Sequence, residues 1–443
     1  MKYNSYHPSK WRTYQSKLRG IERQKRLMKK LPFLVVISGC AFAVLALIFV
    51  IGTWTAGHLQ QENPTPTPEK KNDAVPAKTS PENLLNHLST AAKDSLIFED
   101  QFVLEKDGHR FIINTTIHTK LRDYIEKLLQ RSRSLQAAVV VLNPYDGRVL
   151  AMVSYDSNGN PENLCLKADY PAASLFKIVS AAAAFEKVGF DPDKTFFYNG
   201  SRHTLYKNQL KKTRNRYSSS TQFRKAFARS NNPVFGKVGI YALGRAVIAE
   251  YAEKFFFNRP IPFDLPVAVS TIGVPDDDFG IAEIASGFNK RTLISPLHAA
   301  LIASALADNG KITQPRLVEK ICTESGEILY QAGQSTLGAA IKRKTASNLK
   351  ILMKDAIVYG TARRAFGKLR RQRRFKDFDM GAKTGTINDR TDTFKYDWLT
   401  GYALSPAGTR GICVAVVSVH GEILGTRSTE LARAIIDYYF KSK

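Results

Sequence analysis

Two side chains in this 443-residue chain stand at a spacing suited to acyl transfer. Ser174 and Lys177 lie in Tyr170-Pro171-Ala172-Ala173-Ser174-Leu175-Phe176-Lys177, just ahead of a small-residue run over 178–184. Positions three apart share a helical face, so the hydroxyl and the amine can meet. In the first turn, unpaired N–H groups and the helix dipole favour developing negative charge. A weak nucleophile beside a base, at a place prepared for an oxyanion, suits covalent catalysis. The spacing alone is a weak signal. It recurs at Ser347-Asn348-Leu349-Lys350, in an ordinary amphipathic segment that reads as surface.

Two further clusters give the first one weight. Ser230-Asn231-Asn232 supplies a second hydroxyl and an amide, and Lys383-Thr384-Gly385-Thr386 a second amine with flanking hydroxyls. Ser-x-Asn and Lys-Thr-Gly each occur once in the chain. Each cluster also has a plain structural reading: a helix cap at Ser174, a turn at 230–232, an exposed strand lysine at Lys383.

The elements that must position these groups can be read around them. Residues 137–142 and 149–153 flank Asn143-Pro144-Tyr145-Asp146-Gly147-Arg148, the pattern of a hairpin of buried strands. Before it, Leu121, Tyr124, Ile125, Leu128 and Leu129 repeat at helical spacing, with Thr119 as the cap. The Ser174 helix is expected to end at Gly189. Residues 196–221, polar and rich in Arg and Tyr, read as an exposed excursion. Helical pattern over 222–229 breaks at Ser230 and resumes from Val234. Pro233 disfavours helix at the residue before it, so 230–232 reads as an inter-helix loop.

Further on, residues 279–310 predict alanine-rich helix interrupted at Ser295-Pro296. Residues 316–330 predict a strand pair and 346–359 a helix. Residues 381–386, 398–403 and 411–420 read as strands, and Ser428 caps a closing helix over 430–440. A hairpin, a helical insertion, more strands and a last helix imply one α+β domain over about 94–443, its sheet assembled from both ends. Between helix and strand lies a basic run, 362–376, with eight Lys or Arg. It is read either as a solvated loop or as a contact for wall polymer or lipid.

Composition narrows the setting. The chain is 44% hydrophobic and 23% charged, a globular balance, with a net charge of +26. That charge favours anionic partners. Residues 31–56 form an uncharged run long enough to cross a bilayer of about 30 Å, behind a basic segment ending Lys29-Lys30. The positive-inside rule then keeps the tail, 1–30, in the cytoplasm and sends everything after Ala56 outside, which argues against nucleic acid. The run is too long for a cleaved signal peptide, so an uncleaved anchor is expected. Residues 57–93, with Pro64, Pro66, Pro68, Pro76 and Pro81, form an extended linker reaching on the order of 100 Å, with a short helix at Leu84, Leu85 and Leu88. Cys40 falls in the span. Cys165, Cys322 and Cys413 read as small buried hydrophobes, a disulfide between two of them being the lesser reading. No Cys/His spacing suggests a metal, and no cofactor is expected.

In this order, Ser174-x-x-Lys177, Ser230-x-Asn232 and Lys383-Thr384-Gly385 resemble the transpeptidase domain of penicillin-binding proteins. Further segments carry the likeness: Thr115-Thr116-Ile117, the turn within 141–154, Glu283-Ile284-Ala285-Ser286-Gly287-Phe288, Ser295-Pro296-Leu297, Ala307-Asp308-Asn309-Gly310-Lys311 and Trp398-Leu399-Thr400-Gly401-Tyr402. It covers about 111–440. No glycosyltransferase domain precedes it, and the pedestal domain of many monofunctional, class B-like members is replaced by the linker.

The resemblance implies a serine penicillin-recognising fold, an antiparallel sheet with a helical subdomain. It implies a bacterial inner-membrane protein, catalytic domain outside the cytoplasm, acting on peptidoglycan stem peptides, bound covalently by β-lactams and open to wall-synthesis partner proteins. Ser174 is then the nucleophile, Lys177 the base and Ser230 the proton relay. Asn232 positions Lys177 and a substrate amide. Lys383, Thr384 and Thr386 receive the terminal carboxylate, and Gly385 lets substrate backbone approach. The Ser174 and Thr386 N–H groups form the oxyanion hole. The same equipment serves a D,D-carboxypeptidase, or a β-lactamase with Glu283 as the only candidate deacylation base. A non-catalytic wall scaffold or β-lactam sensor is the non-enzymatic alternative.

Overall fold

The computed structural model describes residues 84–85, 99–160, 162–389 and 391–441. The expected tail, membrane span and most of the linker lie outside the described residues. Among the described residues no helix is long and apolar enough to cross a membrane. Leu84 and Leu85 are helical, and Leu84 is fully buried in the domain core, so that part of the expected linker packs on the domain.

The regular elements, in chain order, are these. β1 (Gln101–Lys106) and β2 (His109–Thr115) lead to α1 (Thr119–Gln130), β3 (Gln136–Leu142) and β4 (Val149–Asp156). α2 (Lys177–Lys187) is followed by the hairpin β5 (Thr195–Tyr198) and β6 (Ser219–Gln222), then α3 (Phe223–Ala228), α4 (Asn232–Val238), α5 (Gly244–Lys254), α6 (Asp278–Ser286) and α7 (Pro296–Ala307). β7 (Val318–Thr323), β8 (Ile328–Gln331), α8 (Arg343–Val358) and α9 (Arg363–Arg370) precede β9 (Asp379–Asn388), β10 (Lys395–Leu404), β11 (Gly411–His420) and α10 (Ser428–Lys441).

The central sheet has the order β9-β10-β11-β3-β4, antiparallel throughout. Strands from both ends of the domain meet at the β11–β3 pairing, as the sequence predicts. Side chains alternate across a strand, so one sheet feeds two cores. Val139, Val141, Val414 and Val416 face a cluster with Leu121 and Ile125 of α1, Phe366 of α9 and Ile435 of α10. Ala138, Val140, Ala415 and Val417 face the other cluster, with α2 and Leu297 and Leu301 of α7. That second core explains why 178–184 and 296–307 are small and apolar all round: both helices are buried.

Several local expectations are corrected. His118, not Thr119, caps α1: its Nδ1 accepts the Leu121 N–H at 3.3 Å. Helix resumes at Asn232 rather than Val234, because Asn231 is the cap and Pro233 falls in the first turn, where its missing N–H costs nothing. The 196–221 excursion is a β-hairpin whose connecting loop buries Leu205, Gln209 and Leu210. The basic run is not a loop. Its start is α9, with Ala365, Phe366 and Leu369 turned into the core. Ser428 opens α10, but its hydroxyl has no partner; the Ser428 N–H donates instead to the Asp397 carboxylate at 2.8 Å. The strand pair over 316–330 joins β1 and β2 in a four-stranded sheet, order β1-β2-β7-β8. Cys165, Cys322 and Cys413 are free and buried. Ser347 of the second Ser-x-x-Lys is exposed on α8.

Candidate active site

Ser174 is the second residue of a 3-10 turn, Ala173–Phe176, that feeds α2. Ala173 sits at φ +48°, a left-handed backbone that costs an L-residue roughly 1–2 kcal/mol. Such strain persists only where the surroundings over-determine it. Here Trp398 Nε1 donates to the Pro171 carbonyl at 2.9 Å, and the Ala172 N–H to the Thr292 carbonyl at 2.8 Å. Gly287, at φ +64°, presses on the turn so closely that a Cβ would stand 1.9 Å from the Ala173 carbonyl oxygen. Gly385 of β9 approaches from the sheet less tightly: a Cβ there would lie 3.1 Å from the Ala173 Cβ and 3.4 Å from the Ser174 nitrogen.

Lys177 heads α2 and is fully buried. Its Nζ lies 2.8 Å from Ser174 Oγ and 2.8 Å from Asn232 Oδ1, and also meets the Ser286 carbonyl. Lys383, equally buried, donates to Ser230 Oγ at 3.1 Å and to the Thr384 carbonyl at 2.7 Å. Burial, and then the Lys383 charge, push the Lys177 pKa well below the usual amine range. Burial lowers Lys383 to about 7. A neutral Lys177 has two hydrogens and a lone pair. Two of its neighbours, the Asn232 amide oxygen and the Ser286 carbonyl, can only accept. The hydrogens go there, and the lone pair is left facing the Ser174 hydroxyl.

The cluster opens on a cavity of about 780 Å³ lined by Ser174, His203, Ser230, Asn232, Thr384 and Thr386, among others. Thr384 Oγ1 is 2.5 Å from Thr361 Oγ1, and Thr386 Oγ1 donates to Asp397 Oδ1 at 3.4 Å. Asp397 also receives Arg427 Nε at 3.2 Å, so the strand hydroxyl is tied to the start of α10. A second cavity of about 880 Å³ adjoins the first at Thr386 and Phe288 and is lined by Glu283, Lys290, Arg291 and Asn388.

All eight residues singled out by type and spacing therefore converge: Ser174, Lys177, Ser230, Asn232, Lys383, Thr384, Gly385 and Thr386. A family model described as the penicillin binding protein transpeptidase domain matches residues 137–437. The chain belongs to this family.

Several curated proteins are similar to this transpeptidase-family chain. Peptidoglycan D,D-transpeptidase PbpA of Mycobacterium tuberculosis is 25% identical over 382 residues, 76% of this chain and 74% of that protein. Stage V sporulation protein D of Bacillus subtilis is 22% identical over 304 residues, 65% of this chain and 45% of that protein. Peptidoglycan D,D-transpeptidase MrdA of Haemophilus influenzae is 24% identical over 381 residues, 75% of this chain and 56% of that protein. The chain thus spans only about half the length of two of these relatives. Among solved structures, the imipenem acyl-enzyme complex of penicillin-binding protein A from M. tuberculosis superposes with a TM-score of 0.61 at 23% identity, over 74% of this chain and 79% of that one. The D,D-transpeptidase domain of a peptidoglycan glycosyltransferase from Eggerthella lenta gives 0.61 at 23%, over 74% and 82%. The α+β penicillin-binding-protein fold is thereby shown.

Within this family fold, five residues contribute that the sequence pattern gives no role: Ser286, Arg202, His203, Thr361 and Asp397. The Ser286 carbonyl belongs to a segment singled out only as resemblance. The Arg202 and His203 carbonyls, from the supposed excursion, accept the Asn232 backbone N–H at 2.7 Å and its Nδ2 at 3.0 Å. His203 also lines the cavity, its pKa lowered by burial and by Arg202, Lys177 and Lys383. Thr361 and Asp397 brace the two strand hydroxyls. Backbone carbonyls carry no residue-type signature, but Leu205 and Leu210 in a polar stretch are a signal that the excursion packs on something.

Proposed function

We propose that the chain is a peptidoglycan D,D-transpeptidase acting through an acyl-enzyme on Ser174, as the names of its curated relatives suggest. The observation that carries the reading is the buried, partner-saturated Lys177 amine 2.8 Å from Ser174 Oγ. Lys177 takes the hydroxyl proton while Ser174 Oγ bonds to the carbonyl carbon between the last two D-alanines. The N–H groups of Ser174 and Thr386 receive the oxyanion. As the C–N bond breaks, Ser230, 3.1 Å from the Lys383 amine, passes a proton to the departing D-alanine nitrogen. Thr384, Thr386 and Lys383 receive the carboxylate of that residue. Asn232 holds Lys177 and a substrate amide. An acceptor amine then attacks the ester: its nitrogen bonds to the carbonyl carbon, the Ser174 C–O bond breaks, and a proton returns to Ser174. β-Lactams enter the first half of this cycle and stop there.

Glu283 lines the adjoining cavity rather than that of Ser174, and the Asp397 oxygens are engaged by Ser428, Arg427 and Thr386. Neither supports rapid deacylation, which weighs against a β-lactamase. We further place the domain outside the cytoplasm on a bacterial inner membrane, held by residues 31–56 and a Pro-rich linker. The support is the uncharged run behind a basic tail.

The test is a fluorescent penicillin added to the full chain and to Ser174→Ala. The parent is expected to label within minutes and to lose the label slowly, and the variant not to label at all. Labelling of the variant would move the nucleophile elsewhere, and rapid loss of label from the parent would make it a β-lactamase.

A further inference from the structure

The helix α9 begins in the wall of the active-site cavity, where Arg364 and Ala365 line the same space as Ser174. Along α9 and the 3-10 turn Arg373–Phe375 that follows it, the bases form a ridge on the side turned away from the core. Lys368 pairs with Glu430 at 3.7 Å, and Arg374 pairs with Asp437. Arg363, Arg364, Arg370, Arg371, Arg373 and Lys376 are exposed and form no ion pair among the described residues. Six exposed cations within fourteen residues give this surface a positive field that favours an anionic partner. These bases remain available to an anion that arrives from solution.

We propose that the outward face of α9 is the docking track for the anionic, carboxylate-bearing glycopeptide strand that delivers the attacking amine. This rests on the transpeptidase reading and goes beyond it by saying where the acceptor lies. Two observations support the placement. Arg364 of α9 lines the same cavity as Ser174, so a polyanion bound along this helix has one end at the space that holds the Ser174 ester. The second cavity meets the first at Thr386, on the β9 side, which leaves that side to the donor peptide.

A lipid surface is the other anionic partner to weigh, and α9 is poorly made for it. A helix that lies in a membrane interface needs a free apolar face. Here Ala365, Phe366 and Leu369 are spent on the core, and Phe375 is buried as well. Only charges remain outside.

The experiment uses the full chain in detergent, as parent and as the triple variant Arg363→Glu, Arg370→Glu, Arg371→Glu, which leaves the cavity-lining Arg364 in place. Fluorescent penicillin labelling reports folding and the Ser174 chemistry. Transfer from a stem-peptide donor is then measured to two acceptors, a free D-amino acid and an amine carried on an un-cross-linked glycan strand. The expected result is labelling within twofold of the parent and unchanged transfer to the free amino acid. Transfer to the strand should fall roughly tenfold, the size of a lost electrostatic capture. In the parent, strand transfer should weaken as salt rises, since exposed charges are screened within about 8–10 Å at physiological ionic strength.

Retained strand transfer in the variant overturns the proposal. If binding to phosphatidylglycerol vesicles is lost at the same time, the ridge is a lipid surface instead. An equal loss with both acceptors also overturns it. If the triple variant fails to label, Arg363→Gln, Arg370→Gln and Arg371→Gln must show the same selective loss at smaller size. Failure of the parent to label at Ser174 sinks the transpeptidase reading itself, and is thus separable from failure of the docking track.

Discussion

A lysine buried beside another lysine destabilises a fold unless one of them gives up its proton. Lys383 has a pKa near 7 when folded, against an ordinary value of 10.5. Between these values the unfolded chain holds a proton that the folded chain does not. The stability of the parent therefore rises with pH across that window, and the full cost is present below about pH 7. Lys383→Met removes the cost. Its melting temperature relative to the parent should be highest at and below pH 7, and that advantage should shrink toward pH 10.5; a pH-independent offset would refute this. The same substitution removes the cation that repels a protonated Lys177. The acid limb of the penicillin acylation rate should then move to higher pH, whatever happens to the plateau. At this scale the sequence was informative because the chemistry depends on residue type. It said nothing of the Ser286, Arg202 and His203 carbonyls, because every residue carries one.

Among the elements, the turn Ala173–Phe176 is the one under most constraint, pressed by Gly287 from α6 and by Gly385 from β9. Gly287→Ala pays twice, once for its φ of +64° and once for a Cβ 1.9 Å from the Ala173 oxygen. The first cost alone is roughly 1–2 kcal/mol. The turn must shift, so we expect a lower melting temperature and a penicillin acylation rate at least tenfold lower. That estimate follows from the sensitivity of positioned groups to displacements of about 1 Å. A variant that acylates at the parent rate would show that Gly287 only fills space. Long elements were legible: α1 and α8 because one buried face sets their apolar spacing, and the three C-terminal strands because burial on both faces makes them near-continuous apolar runs. The hairpin of β5 and β6 was not: its strands are four residues long with no residue fully buried, too short to show a period. α9 was missed because eight bases in fifteen residues hide three apolar ones at helical spacing.

Over the whole molecule, the α+β class and the sheet built from both ends were readable from the order of hairpin, helices and strands. The four-stranded sheet was not, because β2 and β7 lie some 200 residues apart and neither strand announces its partner. The same property governs the central sheet, where Val139 faces Val416. Ser174 leaves the ribosome well before β9, β10 and β11, yet Lys383 and Thr386 arrive only with them. A growing chain is therefore inert until its last strands are made and paired. Chains stopped after residue 378 should take no fluorescent penicillin even with the first two polar clusters complete, while those ending at 441 should take it fully. Labelling of the shorter chains would show that the nucleophile can be armed without the sheet. For an enzyme that acylates its own serine, lateness of this kind is protective: no half-made copy can take up an acyl group on a serine that could never finish the reaction.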